Sequence, residues 1–268
     1  MGVNTYYFSS EGLGLVKTII RMLLIIVCLL SAECIATPIY GTVTMNYSGL
    51  GAKDTMTIWG GGHTGLNVYA GVYMFNKTAG TDQGQSLANG YIGGFCMDLS
   101  EYIAPGSNTY DVIMPQDGPR PTTFLGSTMG AAKAAYLSEL WGRYYDPAWA
   151  VVGNYTTKQN SNAEAFAAAV WEIVYEDLPT TSAGWDVTTN GTGGDRGFKA
   201  ENLDYLTANN WLHSLDGTGQ MAQLRSLSYI GSQDMLVAVP GVVPEPATII
   251  LLTVGGMGMI VSLGNKRK

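Results

Sequence analysis

A single cysteine is the strongest nucleophile in the central part of this 268-residue chain. The sequence holds three cysteines and two histidines, and Cys28 and Cys34 lie near the N-terminus. Cys96 is therefore the candidate nucleophile, and a cysteine nucleophile needs a neighbouring base. No spacing in the sequence brings His63 or His213 to Cys96. We therefore expect no Cys–His catalytic site.

Acidic side chains could support a second kind of chemistry, because a pair of carboxylates can hydrolyse a glycosidic bond. The candidates are Asp98, Glu101, Asp111, Glu172, Glu176 and Asp177. No spacing selects a pair among them, and acidic residues on helix faces and strand ends are usually solvated. A weak calcium site could use the loop residues Asp186, Asp195 and Asp216, but the Asp-x-Asp-x-Asp-Gly spacing of a calcium loop is absent. We therefore assign no catalytic residue, no metal site and no cofactor, and we expect the protein not to be an enzyme.

The composition argues against a nucleic-acid-binding protein and favours an exported one. The formal net charge of −7 argues against a nucleic-acid partner, whose phosphates would repel the chain. Only 13% of the residues are charged and 35 are glycines, which suits an exported β-rich protein better than a helical cytosolic one. Exposed tyrosines and tryptophans could stack on sugars. Helical spacing predicts Trp141 and Trp171 in the core and leaves Trp59 as the surface candidate.

Strand and helix patterns alternate between the two ends of the chain. Strand patterns occupy residues 39–75, 90–103, 109–114 and 235–239, with a turn at 59–63 and a polar loop at 76–89. Helical patterns occupy residues 131–145, 162–175 and 199–215. Asn162 is the expected N-cap of the second helix. These patterns predict an α+β fold, a mostly antiparallel β sandwich or barrel with about three helices, plus one C-terminal transmembrane helix.

Two segments together resemble a known family. The sequence Gly-Phe-Cys-Met-Asp-Leu at 94–99 puts Cys96 on a strand, and residues 166–173 form an alanine-rich helix that contains Trp171. Their order and separation resemble bacterial thioester domains, which are surface-adhesin modules with a covalent link between a strand cysteine and a glutamine. The resemblance spans residues 66–239. It implies that Cys96 stands at the thioester position.

The glutamine of that link is missing where the resemblance requires it. In the family it lies four residues before the tryptophan, and that position is Ala167 here. Alanine has no carboxamide for a thiol to attack, so we expect Cys96 to be a buried small hydrophobe. Gln159 and Gln233 remain as alternative partners. The sequence therefore favours a thioester-like scaffold without its cross-link.

The last 26 residues contain three chemically different pieces in succession. A knuckle formed by Pro244, Glu245 and Pro246 comes first, and its prolines fix φ and block a helix. An uncharged apolar run at 247–263 follows, at the short end of the roughly 17 to 25 residues that span a bilayer. The positive-inside rule predicts a cytoplasmic location for the basic tail, which is Lys266, Arg267 and Lys268.

This order of pieces resembles the PEP-CTERM sorting signal of exported bacterial proteins. The resemblance implies that an exosortase, a protease embedded in the membrane, cuts near the Pro-Glu-Pro tripeptide. It also implies that the protein then passes to the cell surface or matrix. An ordinary membrane anchor, in which the tripeptide has no role, is the alternative.

The N-terminus has the regions of a secretory signal peptide. Lys17 and Arg21 precede the apolar run 22–30, and small residues follow, so that cleavage after Ala36 is plausible. The apolar run is too short for a stable transmembrane anchor. A retained N-terminal anchor is the alternative.

We therefore expect three parts: a signal peptide at 1–36, an extracytoplasmic thioester-domain-like body at 37–240 and a sorting segment at 241–268. The protein should be held in the inner membrane before sorting and then reach the cell surface or the extracellular matrix. Its expected role there is structural or adhesive. The expected partners are an exosortase-type protease, the membrane and an extracellular polysaccharide. The alternative is a polysaccharide-active enzyme, or an adhesin that attaches covalently through Cys96.

Overall fold

The computed structural model describes residues 37–240. The expected signal peptide, the Pro244-Glu245-Pro246 knuckle, the apolar run and the basic tail lie outside these residues. Within the described part of the chain, no helix is both long and apolar enough to cross a membrane. The transmembrane helix expected at 247–263 falls outside that part.

A long hairpin opens the fold. Strands β1 (Thr42–Gly60) and β2 (His63–Gly80) pair antiparallel along most of their lengths. Gly61 and Gly62 form the tight turn between them, with φ of +58° and +85°. Glycine adopts this left-handed conformation without strain, which explains why two glycines stand at this turn. The turn predicted at 59–63 is confirmed.

Five shorter strands complete the sheet. They are β3 (Gly90–Cys96), β4 (Ser107–Ile113), β5 (Phe198–Glu201), β6 (Leu224–Tyr229) and β7 (Ser232–Ala238). All pairings are antiparallel, and the first residues of β1 pair with β4 as well as with β2. The hydrogen-bonded order β1–β2–β3–β7–β6–β4 therefore returns to β1 and closes a ring, while β5 adds to the far end of β1. This barrel-like arrangement confirms the expected antiparallel sheet.

Three helices complete the α+β fold. They are α1 (Gly130–Tyr144), α2 (Thr157–Tyr175) and α3 (Tyr205–His213). Helix α2 packs against β1 and β2 and is buried without interruption from residue 163 to residue 175. Its N-cap is Thr156, which accepts from the backbone N–H of Gln159 while the Gln159 side chain accepts from Thr156. The prediction of Asn162 as the cap is therefore wrong, because this capping box starts the helix earlier.

Two predicted strand boundaries are also wrong. Strand β2 continues into the first part of the predicted 76–89 loop, because β1 supplies partners for its backbone there. Strand β3 ends at Cys96, whereas the pattern extended over 90–103. The chain turns just after the strand, where the Asp98 carboxylate accepts the backbone N–H of Ser100 at 2.8 Å.

The C-terminal third of the body holds two strands that the pattern did not predict, β5 and β6, and β5 takes the first residues of the helix predicted at 199–215. The sequence of β6 lacks the alternation of buried apolar and exposed polar residues that predicts a strand, because the polar residues Ser226 and Ser228 are both buried. The helix predicted at 199–215 is α3, which begins later because the Asp204 side chain caps it by accepting from Thr207. The strand predicted at 235–239 is confirmed as part of β7.

Buried glutamates on helix α2 organise the glycine- and threonine-rich loop that follows it. Glu172 is 2% exposed and accepts the backbone N–H of Asp186 at 2.9 Å. Glu176 is 5% exposed and accepts from the backbone N–H groups of Gly191 and Phe198 at 3.1 and 2.9 Å. The expectation that these carboxylates are solvated is wrong, because backbone donors take the place of water.

The burial of Glu172 makes stability depend on pH. Burial raises the pKa of this carboxyl from 4.5 to about 9, and the nearby Glu176 and Asp186 add to the effect. The folded state therefore binds more protons than the unfolded chain between those two values. The free energy of unfolding falls as the pH rises through that interval.

We predict that Glu172→Gln stabilises the protein near pH 8, by more than about 1 kcal/mol, and much less near pH 4. Glutamine keeps an acceptor for the Asp186 N–H but cannot ionise. Urea unfolding monitored by tryptophan fluorescence at several pH values measures this difference. Glu201→Gln, at an exposed position, is the matched control. An unchanged pH dependence in Glu172→Gln would contradict the prediction.

Candidate functional site

Cys96 is the last residue of β3 and is 2% exposed. Its Sγ donates a hydrogen bond to the backbone carbonyl oxygen of Asp98 at 3.0 Å. Burial, and next the negative charge of Asp98, raises the pKa of the thiol well above its ordinary value. The reactive thiolate is therefore scarce near neutral pH. The expectation that Cys96 is a buried small hydrophobe is confirmed.

The helix position at which the thioester family has its glutamine is part of the buried core. Ala167 is 2% exposed and lies one turn before Trp171 on α2. Gln159 is engaged in the capping box, where its Oε1 accepts the backbone N–H of Thr156 at 2.9 Å. With a rise of about 1.5 Å per residue, Gln159 is about 18 Å along the helix from Trp171. It is therefore unsuited to replace the missing glutamine.

Gln233 lies much closer to the cysteine. It is on β7, two residues before Met235, and Met235 is the cross-strand partner of Cys96. Side chains two residues apart on a strand point to the same face, so Gln233 and Cys96 share a face of the β3–β7 pair. Of the two glutamines that the sequence left open, Gln233 has the compatible position.

The two histidines bond to backbone carbonyls. His63 Nε2 lies 2.7 Å from the carbonyl oxygen of Leu99, and His213 Nε2 lies 2.8 Å from that of Trp185. The hydrogen bond of the Cys96 thiol goes to Asp98 and to neither imidazole. In the described part of the chain, neither imidazole is hydrogen-bonded to the thiol.

Two aspartates close to Cys96 are fully buried. Asp98 Oδ1 accepts from the backbone and side chain of Ser100, and Asp234 Oδ2 accepts the backbone N–H of Arg120 at 2.7 Å. Burial raises the pKa of Asp234 to about 8. The expectation of a solvated Asp98 is therefore wrong. These carboxylates, like those of α2, accept hydrogen bonds that stabilise the fold.

Two of the three aspartates considered for calcium, Asp186 and Asp216, have similar local roles. Asp186 Oδ1 accepts from the backbone and side chain of Thr188, and Asp216 Oδ1 accepts in the same way from Thr218. In the part of the chain that the structure describes, no group of three His, Cys, Asp or Glu residues is arranged to hold a metal ion.

A cavity of about 290 Å³ lies between the β1–β2 hairpin and the segment that follows β3. Its volume is just below the roughly 300 to 1,000 Å³ of small-molecule pockets. Aromatic side chains form much of its wall, and Tyr102 and Tyr69 at its rim are 70% and 54% exposed. Trp171 and Gln233 also line it. The cavity therefore combines apolar ring faces with a few polar groups.

No local sequence pattern pointed to this cavity. Its walls come from the β1–β2 hairpin, from the segment after β3, from α2 and from β7, which only the tertiary fold brings together. Trp171 is 3% exposed and Trp141 is 4% exposed, so both predicted core positions are confirmed. Trp59, predicted to lie at the surface, is half-buried, and Lys199 Nζ lies 4.6 Å from its ring centre.

We predict that Cys96 reacts with iodoacetamide at least tenfold more slowly in the native protein than in urea, because burial excludes the reagent and disfavours the thiolate. A Cys28→Ser, Cys34→Ser background leaves Cys96 as the one thiol. Ser107→Cys, an exposed position on β4, is the reactive control. The intact mass should be that of a free thiol. A deficit equal to one ammonia molecule, followed by the gain of one methylamine molecule on treatment with methylamine, would instead reveal a thioester.

Comparisons with known proteins bear on the tail of the chain. Residues 242–268 match the family model described as the PEP-CTERM protein-sorting motif. Comparisons with curated proteins and with solved structures give no significant match. The likeness of the body to thioester domains therefore rests on the two sequence segments alone. The chain carries the sorting motif of exported proteins that an exosortase processes.

Proposed function

We propose that this chain is an exported protein with a structural or adhesive role on the cell surface or in an exopolysaccharide matrix. The match of residues 242–268 to the sorting motif is the observation that carries the proposal. The signal-peptide pattern at residues 1–36 supports the same route, because a sorting segment is reached only by a protein that has entered the export pathway. The body at 37–240 is then the part that works outside the cytoplasm.

The chemistry of the tail explains how processing would occur. The apolar run at 247–263 holds the chain in the membrane, and the basic tail keeps its end on the cytoplasmic side. The Pro244-Glu245-Pro246 tripeptide directly precedes the apolar run, so a protease embedded in the membrane would meet it at the membrane surface. After cleavage the body is free of its anchor.

A non-enzymatic role is supported by the state of the reactive groups. The Cys96 thiol is buried and hydrogen-bonded to a backbone carbonyl. Each histidine bonds to a backbone carbonyl. The buried glutamates of α2 accept backbone N–H groups. Side chains that are already hydrogen-bonded to the backbone stabilise the structure and are poorly placed to attack or protonate a substrate.

A polysaccharide partner is supported by the aromatic cavity. The C–H faces of a sugar ring are apolar and pack against aromatic rings. Tyr102 and Tyr69 present such rings at the rim of the cavity, largely open to solvent. The cavity would hold one unit of a longer sugar chain that continues into the solvent.

A covalent adhesin is the second candidate, and the position of Gln233 favours it. Gln233 and Cys96 share one face of the β3–β7 pair. The mass measurement proposed for Cys96 separates the two candidates. A polysaccharide-active enzyme differs from both, because it would release new reducing ends from the polysaccharide that it binds.

We predict that Glu245→Ala remains membrane-bound and unprocessed in a host that carries an exosortase, because the variant loses the charged residue of the tripeptide. Membrane fractionation and immunoblotting measure the length and location of the product. Val242→Ala, a small change just before the tripeptide, is the control and should mature normally. Normal maturation of Glu245→Ala would contradict the sorting role.

We predict that the full chain is retarded in gels that contain an exopolysaccharide, and that Tyr102→Ala loses most of this retardation. Removing the ring takes away the apolar face at the rim. Tyr91→Ala is the matched control, since Tyr91 is 56% exposed on β3 and does not line the cavity. Equal loss in both variants, or retardation that survives Tyr102→Ala, would contradict binding at this cavity.

A further inference from the structure

The wall of the aromatic cavity carries polar atoms whose hydrogen-bonding capacity is unused. Glu101 Oε2, Gln233 Oε1 and Trp171 Nε1 are all buried, and none has a partner among residues 37–240. All three residues line the same cavity. A buried polar group without a partner costs roughly 1–3 kcal/mol, so these atoms favour whatever molecule satisfies them.

Each of these residues is anchored by the surrounding structure. Glu101 Oε1 accepts the backbone N–H of Gly231 at 3.2 Å, and the backbone N–H of Ser232 also interacts with this carboxyl. The backbone N–H of Gln233 donates to the carbonyl oxygen of Tyr102 at 3.2 Å. Trp171 is fixed within the buried part of α2. The unused atoms therefore belong to rigid elements, as a preformed binding site requires.

The types of the unused atoms restrict the ligand. Two are oxygen acceptors and one is an N–H donor, so the ligand must supply at least two donors and one acceptor. A hydroxyl group both donates and accepts. Neighbouring hydroxyls on a sugar ring could donate to Glu101 and Gln233, and one of them could accept from Trp171. An amino group on the ring could likewise donate to Glu101.

The charge around the cavity disfavours acidic ligands. Among the described residues that line it, none is a lysine or an arginine, and Glu101 is negative when ionised. His63 is the one basic side chain in the lining, and its Nε2 is bonded to the carbonyl oxygen of Leu99. Asp98 lies close enough to act electrostatically on Glu101. The ammonium of Lys53 lies over the ring of Tyr69, 4.0 Å from the ring centre, and is not part of the lining. A ligand carboxylate or sulfate would meet the charge of Glu101 with no lysine or arginine in the lining to offset it.

We infer that the cavity binds a sugar unit that carries hydroxyl or amino donors but no acidic group, and that Glu101 and Gln233 set this selectivity. This inference rests on the proposed polysaccharide binding and names the class of sugar. Neutral and amino sugars share the donor chemistry that the cavity requires. Uronic acids and sulfated sugars have the charge that it rejects.

Titration of the full chain with three oligosaccharides of equal length tests this inference: a neutral cello-oligosaccharide, a glucosamine oligomer and an oligo-uronate. Trp171 lies in the wall, so tryptophan fluorescence should report binding. We expect the first or second probe to bind and the oligo-uronate to bind at least tenfold more weakly. A stronger response to the glucosamine oligomer would identify an ammonium as the donor to Glu101, and a stronger response to the cello-oligosaccharide would identify a hydroxyl.

Two variants test the named residues. Glu101→Gln keeps the acceptor for Gly231 but removes the charge, and we expect about tenfold weaker binding of the preferred probe together with a smaller discrimination against the uronate. Gln233→Met removes the amide at similar volume and should also weaken binding. Glu201→Gln, which removes an exposed charge away from the cavity, should bind as the unmodified chain does.

The outcomes distinguish this inference from the proposed function. Equal or tighter binding of the oligo-uronate, or unchanged selectivity in Glu101→Gln, overturns the inference while Tyr102-dependent polysaccharide binding still stands. If no oligosaccharide binds and no polysaccharide retards the protein, both fail. Weaker binding in Glu101→Gln and Gln233→Met with normal unfolding curves supports the assignment of both residues.

Discussion

Hydrogen bonds from loop N–H groups to buried carboxylates are the interaction on which much of this structure depends. Glu176 on α2 accepts from Gly191 and Phe198, and Glu139 on α1 accepts the backbone N–H groups of Gly217 and Gly219 at 2.8 and 3.0 Å. Loops of glycine and threonine have few apolar side chains with which to anchor themselves. A carboxylate that gathers several backbone donors gives such a loop one conformation, as a neighbouring strand would.

Helix α2 also holds the segment that forms the cavity. The hydroxyl of Tyr175, at its C-terminal end, accepts the backbone N–H of Leu99 at 2.7 Å, just beyond Cys96. Trp171, one turn earlier, forms part of the cavity wall. The same buried helix thus fixes the loop on one side and the aromatic cavity on the other. A change in how α2 packs would alter both together.

The sequence predicted the features that depend on local order, and it missed those that depend on distant partners. The hairpin turn, the core positions of Trp141 and Trp171 and the sorting tail follow from short patterns. Strand β6 was missed because two of its polar residues, Ser226 and Ser228, are buried. Ser226 Oγ donates a hydrogen bond at 3.2 Å to Met97 Sδ, which is far away in the sequence. The buried glutamates and the cavity were missed for the same reason, since their partners come from segments far along the chain.

The closed ring of strands determines when the body can fold. Strand β3 lies between β2 and β7, so its second neighbour is the last strand to be synthesised. Pairing between distant segments folds slowly. On the proposed export route, β3 keeps an open edge until β7 has emerged, and the sorting motif begins at residue 242, only a few residues after Ala238. On that proposed route the apolar tail would enter the membrane just after β7 has emerged, so the chain would be tethered at the membrane surface while the ring closes.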